Sequence, residues 1–192
     1  MESFHAKDYL DLLEFYQSDA NANVNVDVNA VQKGNKPQLT VPVRVPISVP
    51  SAYINLLDAY GLTDDCPIPM NPRDRAQLWT YCRAIAGASI QAARLLLNTN
   101  ENEHENKNKK RNNVNVDVAI NWSGVRHHAH ADKAGGFCYI NDAVLAIQSL
   151  VRAKRRVLYL DVDIHHADGV QECFYDTDDV MTVSLHRYAA GF

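Results

Sequence analysis

No two of the four cysteines, Cys66, Cys82, Cys138 and Cys173, are spaced as C-x-x-C, and no apolar stretch at the amino end reads as a secretory signal. Both absences argue for a reduced, intracellular compartment. An excess of basic charge is missing as well: the formal net charge is -4 and the pI is about 6.0. This excludes direct nucleic-acid binding through a broad basic face and leaves room for a cationic peptide or amine as substrate. No uninterrupted apolar run approaches the length that spans a bilayer, so no membrane location is expected. What remains is a 192-residue chain, 46% apolar and 22% charged, which suits one globular domain with a sizeable core.

Tyr9, Leu12, Leu13 and Tyr16 recur at helical spacing within residues 7–16. Residues 18–50 then change character, with an Asn-Val-Asn-Val-Asp-Val string, a Lys-Gly-Asn-Lys-Pro cluster and Pro42, Pro46 and Pro50, and read as an inserted low-complexity loop. A second helix over 51–60 is closed by Gly61, and a long one over 74–97 carries Leu78, Cys82, Ile85, Ser89, Ala92 and Leu96 on one face. Residues 98–113, rich in Asn, Glu and Lys, form a second insert. The string Val-Asn-Val-Asp-Val occurs at 24–28 and again at 114–118. Only the second copy runs into Ala-Ile-Asn-Trp, so the strand is expected over 114–122 and the first copy is read as drift. A helix over 141–153 is capped by Asn141 or Asp142, and strands are expected over 157–164 and 180–185. Those strands are apolar without polar alternation, as in parallel strands covered on both faces. The fold class is therefore α/β, an open and mainly parallel sheet with helices on both faces.

Ligands of such sheets bind beyond the carboxyl ends of the strands. Asp161, Asp163 and His165 occupy alternate positions there, so in an extended chain they share a face. Neighbouring carboxylates at a buried strand mouth repel each other and lose hydration, which a bound cation relieves. Oxygen and nitrogen donors suit zinc, with iron(II) or manganese as alternatives. His127 and His128 follow the strand expected before it. A histidine beside a carboxylate has its tautomer fixed and its outer nitrogen made more basic, the apparatus that activates water.

Four blocks carry a resemblance: Asn121-Trp-Ser-Gly-Val-Arg-His-His128, Gly136-Phe-Cys-Tyr-Ile-Asn-Asp-Ala143, Leu158-Tyr-Leu-Asp-Val-Asp-Ile-His-His-Ala-Asp-Gly169 and Val180-Met-Thr-Val-Ser-Leu-His186. In content and order they resemble the zinc-dependent histone deacetylases, most closely class I, of the arginase/deacetylase fold. Weaker similarity extends to Phe4-His5, Tyr60-Gly61-Leu62 and Asp65-Cys66-Pro67. The resemblance implies a partial catalytic domain over 1–192 that hydrolyses acetyl-lysine on histone tails or other proteins. By position it makes Asp163 and His165 zinc ligands. It makes His128, paired with Asp168, the general base and acid, and His127, paired with Asp161, an electrostatic stabiliser. Gly136 and Phe137 would wall the acyl-lysine tunnel, and Asp65 would grip the substrate backbone. A structural potassium ion would lie near Asp161, Asp163, His165, Ser184 and Leu185. The family also implies a nuclear protein, with the cytoplasm as a second location, and corepressor partners.

The resemblance places a third metal ligand and a transition-state tyrosine downstream of Phe192, and further fold upstream of Phe4. The chain is thus expected to be incomplete at both ends, with crippled activity. Within it, Val125 and Ala167 stand where the family has glycine, and Arg126 where it has an apolar tunnel residue. Rival readings stand beside each assignment. The acidic cluster could be a salt-bridged strand end, and the chain a catalytically silent binder of acetylated tails or corepressors, or an acetylpolyamine amidohydrolase. Cys138 and Cys173 read as small buried side chains rather than nucleophiles. The basic run at 107–111 reads as a solvated loop or as a nuclear import signal.

Overall fold

The computed structural model describes residues 4–15, 23–26, 39–44, 51–69, 72–98 and 116–189. Helix α1 (Lys7–Phe15) is followed by strands β1 (Asn23–Val26) and β2 (Leu39–Arg44), then by α2 (Ser51–Ala59) and α3 (Pro72–Asn98). Next come α4 (Asp142–Arg152), β3 (Val157–Asp161), α5 (Asp168–Phe174) and β4 (Val180–Ser184). Two compact units result: residues 1–83 with 128–140, and residues 84–127 with 141–192. Most of the insert at 98–113, and with it the basic run at 107–111, lies outside the described residues. Among the described residues, no helix is long and apolar enough to cross a membrane.

In the first unit, α1 buries Tyr9, Leu10, Leu12 and Leu13, the face its periodicity predicts. The Tyr9 ring stacks on Tyr60 with centroids 5.9 Å apart. Each hydroxyl is satisfied: Tyr9 donates to the Tyr139 carbonyl, and Tyr60 donates to Asp8 Oδ2 at 2.8 Å. Gly61 ends α2 as expected, at φ +65. The Leu62 N–H reaches the Leu57 carbonyl at 2.8 Å and the Gly61 N–H the Asp58 carbonyl at 2.9 Å, which is a Schellman closure.

β1 and β2 pair antiparallel, with register shifts on either side of Val24 and Asn25. They lie inside the segment expected to be a featureless loop. Pro42 sits in β2 opposite Val24, which a two-stranded ladder tolerates because every strand in it is an edge.

His5 is buried in this unit at 2% exposure. Burial pushes its pKa down to about 4, against main-chain contacts with Ala131 and His130 that raise it. The folded imidazole therefore binds a proton less readily than the unfolded one at 6.5. The resulting stability is complete above the unfolded value and is lost as pH falls from 6.5 towards 4. Each unit of difference is worth about 1.4 kcal/mol, so the loss amounts to roughly 3 kcal/mol. Urea midpoints measured from pH 7.5 to 4.5 should fall more steeply for the wild type than for His5→Phe. Parallel slopes would rule this source out.

In the second unit, α4 is capped by Asn141, whose side chain accepts the Val144 N–H at 3.1 Å. The helix buries Asp142, Ala143, Val144, Leu145 and Ile147. β3 and β4 pair in parallel, Val157 opposite Val180 through Asp161 opposite Ser184. This parallel pair, linked through α5, gives the expected α/β character. Two of the sequence expectations fail. Residues 116–122 form no strand, and Val118, Ile120 and Trp122 are exposed. Apolar alternation alone makes no strand without a hydrogen-bonded neighbour, and the described residues offer none there. The parallel strands are also not covered on both faces, since Leu158 and Leu160 of β3 and Met181 of β4 are exposed.

Candidate functional site

β3 delivers Asp161 at its carboxyl end, opposite Ser184, with the side chain buried at 4% exposure. Its Oδ2 lies 2.8 Å from His127 Nδ1 and also accepts the Tyr159 hydroxyl. Its Oδ1 accepts the Asp163 N–H at 2.9 Å. Burial raises the pKa of this carboxyl, but the hydrogen bonds from Tyr159, the Asp163 N–H and His127 outweigh burial and hold it below the usual carboxylate value. An ionised Asp161 can only accept, so His127 carries its proton on Nδ1 and turns Nε2 outward. That Nε2 lies 4.0 Å from Asp163 Oδ1. Tyr159 was not among the expected site residues, although its position two before Asp161 places it on the same strand face.

The alternation of Asp161, Asp163 and His165 does not continue as an extended strand. β3 stops at Asp161, and two successive Asx turns follow, in which Asp161 Oδ1 takes the Asp163 N–H and Asp163 Oδ1 takes the His165 N–H at 2.8 Å. Asp161 therefore points inward to His127, while Asp163 and His165 are exposed. Their donor atoms face each other, His165 Nδ1 lying 2.9 Å from Asp163 Oδ1. The His165 N–H, more than the slight burial that opposes it, lowers the Asp163 pKa, and the His165 ring adds to the effect.

Adjacent ligands of one tetrahedral ion, with bonds of about 2.0–2.2 Å, stand roughly 3.3–3.6 Å apart, so this oxygen and nitrogen, now at hydrogen-bond distance, need only part by about half an ångström to take an ion between them. A cation would replace the proton shared between them. The pair thus fits a metal as two of its ligands, while no group of three His, Cys, Asp or Glu converges among the described residues.

Further along the unit, Ser184 Oγ lies 2.9 Å from His186 Nδ1. The Leu185 N–H donates to the Asp161 carbonyl at 2.9 Å. Ala167 caps α5 at φ -77. No glycine is needed there, so the departure from the family is accommodated. Asp168 opens α5 and lines an open cleft with His166, Gln171 and Tyr175.

Val125 is different, because it sits at φ +65. For a β-branched residue this left-handed conformation costs roughly 1–2 kcal/mol. A glycine, which the resemblance puts at this position, would take the conformation without strain, and Val125 carries the strain. Its N–H and that of Arg126 both donate to Asp142, at 3.1 and 2.8 Å. Expectation had Asp142 only as a helix cap.

The first unit holds the other expected residues. Asp65 Oδ2 accepts the Gly136 N–H at 2.9 Å. Gly135 and Cys138 exchange main-chain hydrogen bonds of 3.1 and 2.8 Å around Gly136 (φ +51) and Phe137 (φ +63), the geometry of a type I′ turn. Phe137 is 77% exposed. The His128 ring lies against the Gly136 α-carbon, where an added Cβ would come within 2.3 Å of His128 Cδ2.

Cys138 is buried, as the packing reading expects, while Cys173 is only half-buried. Burial pushes the Cys66 thiol up to about 12 and the Cys173 thiol up to about 11, so neither is a thiolate near neutrality.

A Histone deacetylase domain model matches residues 1–192 of the chain. A putative histone deacetylase 2 of Caenorhabditis elegans is 40% identical over 153 residues, which is 80% of this chain and 25% of that protein. Histone deacetylase B of Dictyostelium discoideum is 44% identical over 133 residues, 69% of this chain and 26% of the relative. Histone deacetylase 9 of Arabidopsis thaliana is 44% identical over 140 residues, 73% of this chain and 28% of the relative. The chain spans about a quarter of the length of these curated relatives. Its parallel strand pair and its carboxylate-bearing strand end fall within a domain matched from the first residue to the last, and the chain belongs to the histone deacetylase family.

Proposed function

We propose that this protein hydrolyses the acetyl amide of acetyl-lysine on histone tails or other proteins. The observation that carries the reading is the strand end where Asp161 fixes the proton of His127 on Nδ1 while Asp163 and His165 bring two donors together 2.9 Å apart. Asp163 and His165 would hold zinc, with iron(II) as the alternative. Held there, such an ion would supply Lewis acidity for the acetyl carbonyl and for the attacking water. His127, with Nδ1–H anchored on Asp161, would supply electrostatic stabilisation of the charge that develops on the attacked carbonyl. The family resemblance supports proton transfer by His128 with Asp168 as its partner. It also supports the Phe137 ring and the Asp65 carboxylate as grips on the acyl-lysine stem and the substrate backbone. A potassium ion near Asp161, Asp163, His165, Ser184 and Leu185 would stiffen the loop between the two strands. Residues 18–50 and 98–113 are insertions in this domain, and the protein acts in the nucleus, in company with corepressors.

A second reading has a specific observation in its favour. Only two metal donors come together among the described residues, as in a silent binder of acetylated tails. The two are separated by loading the protein with zinc, presenting an acetylated histone-tail peptide and following acetate release together with peptide binding. Release that needs zinc and disappears in His127→Ala is expected. Peptide binding without acetate release from zinc-loaded protein would overturn the deacetylase reading in favour of the binder.

A further inference from the structure

Two adjacent side chains at the start of α4 turn back onto the loop that carries His127. Asn141 caps the helix with its oxygen, and its Nδ2 donates to the His127 carbonyl at 3.3 Å. Asp142, the next residue, accepts three donors: the N–H of Val125, the N–H of Arg126 and the Ser89 hydroxyl. Ser89 Oγ in turn accepts Asn121 Nδ2 at 2.8 Å. The carboxylate is sealed at 1% exposure, and a Cβ at Gly124 would come within 2.7 Å of its Oδ2. Two successive N–H groups converge on one anion only when the backbone between them is turned, and Val125 is turned into the left-handed region. A β-branched residue stays there only when its surroundings hold it.

We propose that Asp142 is a positioning residue: by taking the N–H groups of Val125 and Arg126 it fixes the left-handed turn that sets the His127 ring against Asp161. It acts through main chain and not on substrate. α4 is a firm base for this, because its first turns are buried from Asn141 to Leu145. A glycine at 125 would adopt the turn unaided. In this chain the valine makes the turn depend on the carboxylate more than it would in a glycine-bearing relative. The inference rests on the reading of His127 as a site residue, yet its readout is the His127 ring itself. A failure of the deacetylase proposal would leave that readout untouched.

The test is the Nδ1–H resonance of His127 in protein labelled with 15N-histidine, assigned through His127→Gln. It is followed in Asp142→Asn, Ser89→Ala, Val125→Gly and the double variant Asp142→Asn/Val125→Gly. An asparagine has a single acceptor oxygen, so in Asp142→Asn the His127 Nδ1–H signal should shift or vanish. Amide exchange at Arg126 should quicken by about tenfold or more while Leu145 and Ile147 keep their protection. Glycine at 125 should restore much of the signal, which a merely structural role for Asp142 would not predict. Ser89→Ala removes only one donor from the carboxylate and should move the resonance the same way by less. It decides the matter if Asp142→Asn does not fold. An unchanged His127 signal in folded Asp142→Asn or in Ser89→Ala, or no rescue by glycine, would overturn the proposal.

Discussion

Replacing Asp161 by alanine is expected to cost about 3–5 kcal/mol of folding stability, and replacing it by asparagine to cut turnover steeply while leaving the fold largely intact. The alanine strands three donors at once in a buried place: the Tyr159 hydroxyl, the Asp163 N–H and His127 Nδ1. Each unsatisfied buried group costs about 1–3 kcal/mol, and the loss reads directly in a urea melt. Asparagine keeps the volume and one acceptor, but its amide must present N–H groups to part of the same set. If they face His127, Nδ1 has to accept, and the ring proton moves to Nε2. In either orientation the amide lacks the negative charge that Asp161 sets against His127, and a ring meant to stabilise developing negative charge loses that support. Weakening one group that stabilises the developing charge lowers kcat by on the order of 10^2–10^3. Acetate release from an acetyl-lysine peptide measures the loss, and imidazole 15N shifts report the tautomer. A folded Asp161→Asn variant with undiminished acetate release would place the role of Asp161 elsewhere.

How far these features were legible follows from how local each one is. The strand that ends at Asp161, the Asn141 cap, the Gly61 closure and the long helix α3 are written in short-range patterns: an apolar run, a capping side chain, a glycine after the last turn, a repeat of three and four. Pairing is not local. The same Val-Asn-Val-Asp-Val string occurs twice, and its first copy contributes Val24, Asn25 and Val26 to a ladder while the second makes no strand in its described part. What separates them is Leu39–Arg44 beside the first, a partner that no window on either copy contains. The site shows the same division. The carboxylates and histidines stand out as chemistry, but the turn after β3 is set by side-chain oxygens capturing main-chain N–H groups, so the expected shared face is lost. Asp142 reaches Ser89 across 53 positions and Val125 across 17, and neither contact leaves a mark in the local sequence.

Substitution at the 135–138 turn separates stability from function in opposite directions. Gly136→Ala is expected to be among the most damaging single-methyl changes in the protein. The new Cβ would meet His128 at 2.3, 2.6 and 2.8 Å from its Cδ2, Cγ and Cβ, while φ +51 is itself unfavourable for alanine. The backbone penalty of roughly 1–2 kcal/mol and an overpacking penalty of similar size act together. Relief requires either His128 to leave its place or the turn to open. Opening the turn would also break the bond from the Gly136 N–H to Asp65. Loss of melting temperature should therefore accompany loss of turnover, with the His128 ring resonance displaced. Phe137→Gly has the reverse sign for stability. Phe137 holds φ +63 at the second central position of a type I′ turn, where glycine is preferred, and it is 77% exposed. Glycine removes the strain and buries nothing less, so the variant should melt at the same temperature or higher. On the proposed function the ring would instead touch the aliphatic stem of the substrate. KM for an acetyl-lysine peptide should rise several-fold in Phe137→Gly. A variant that is less stable and equally active would show that the ring serves packing rather than substrate.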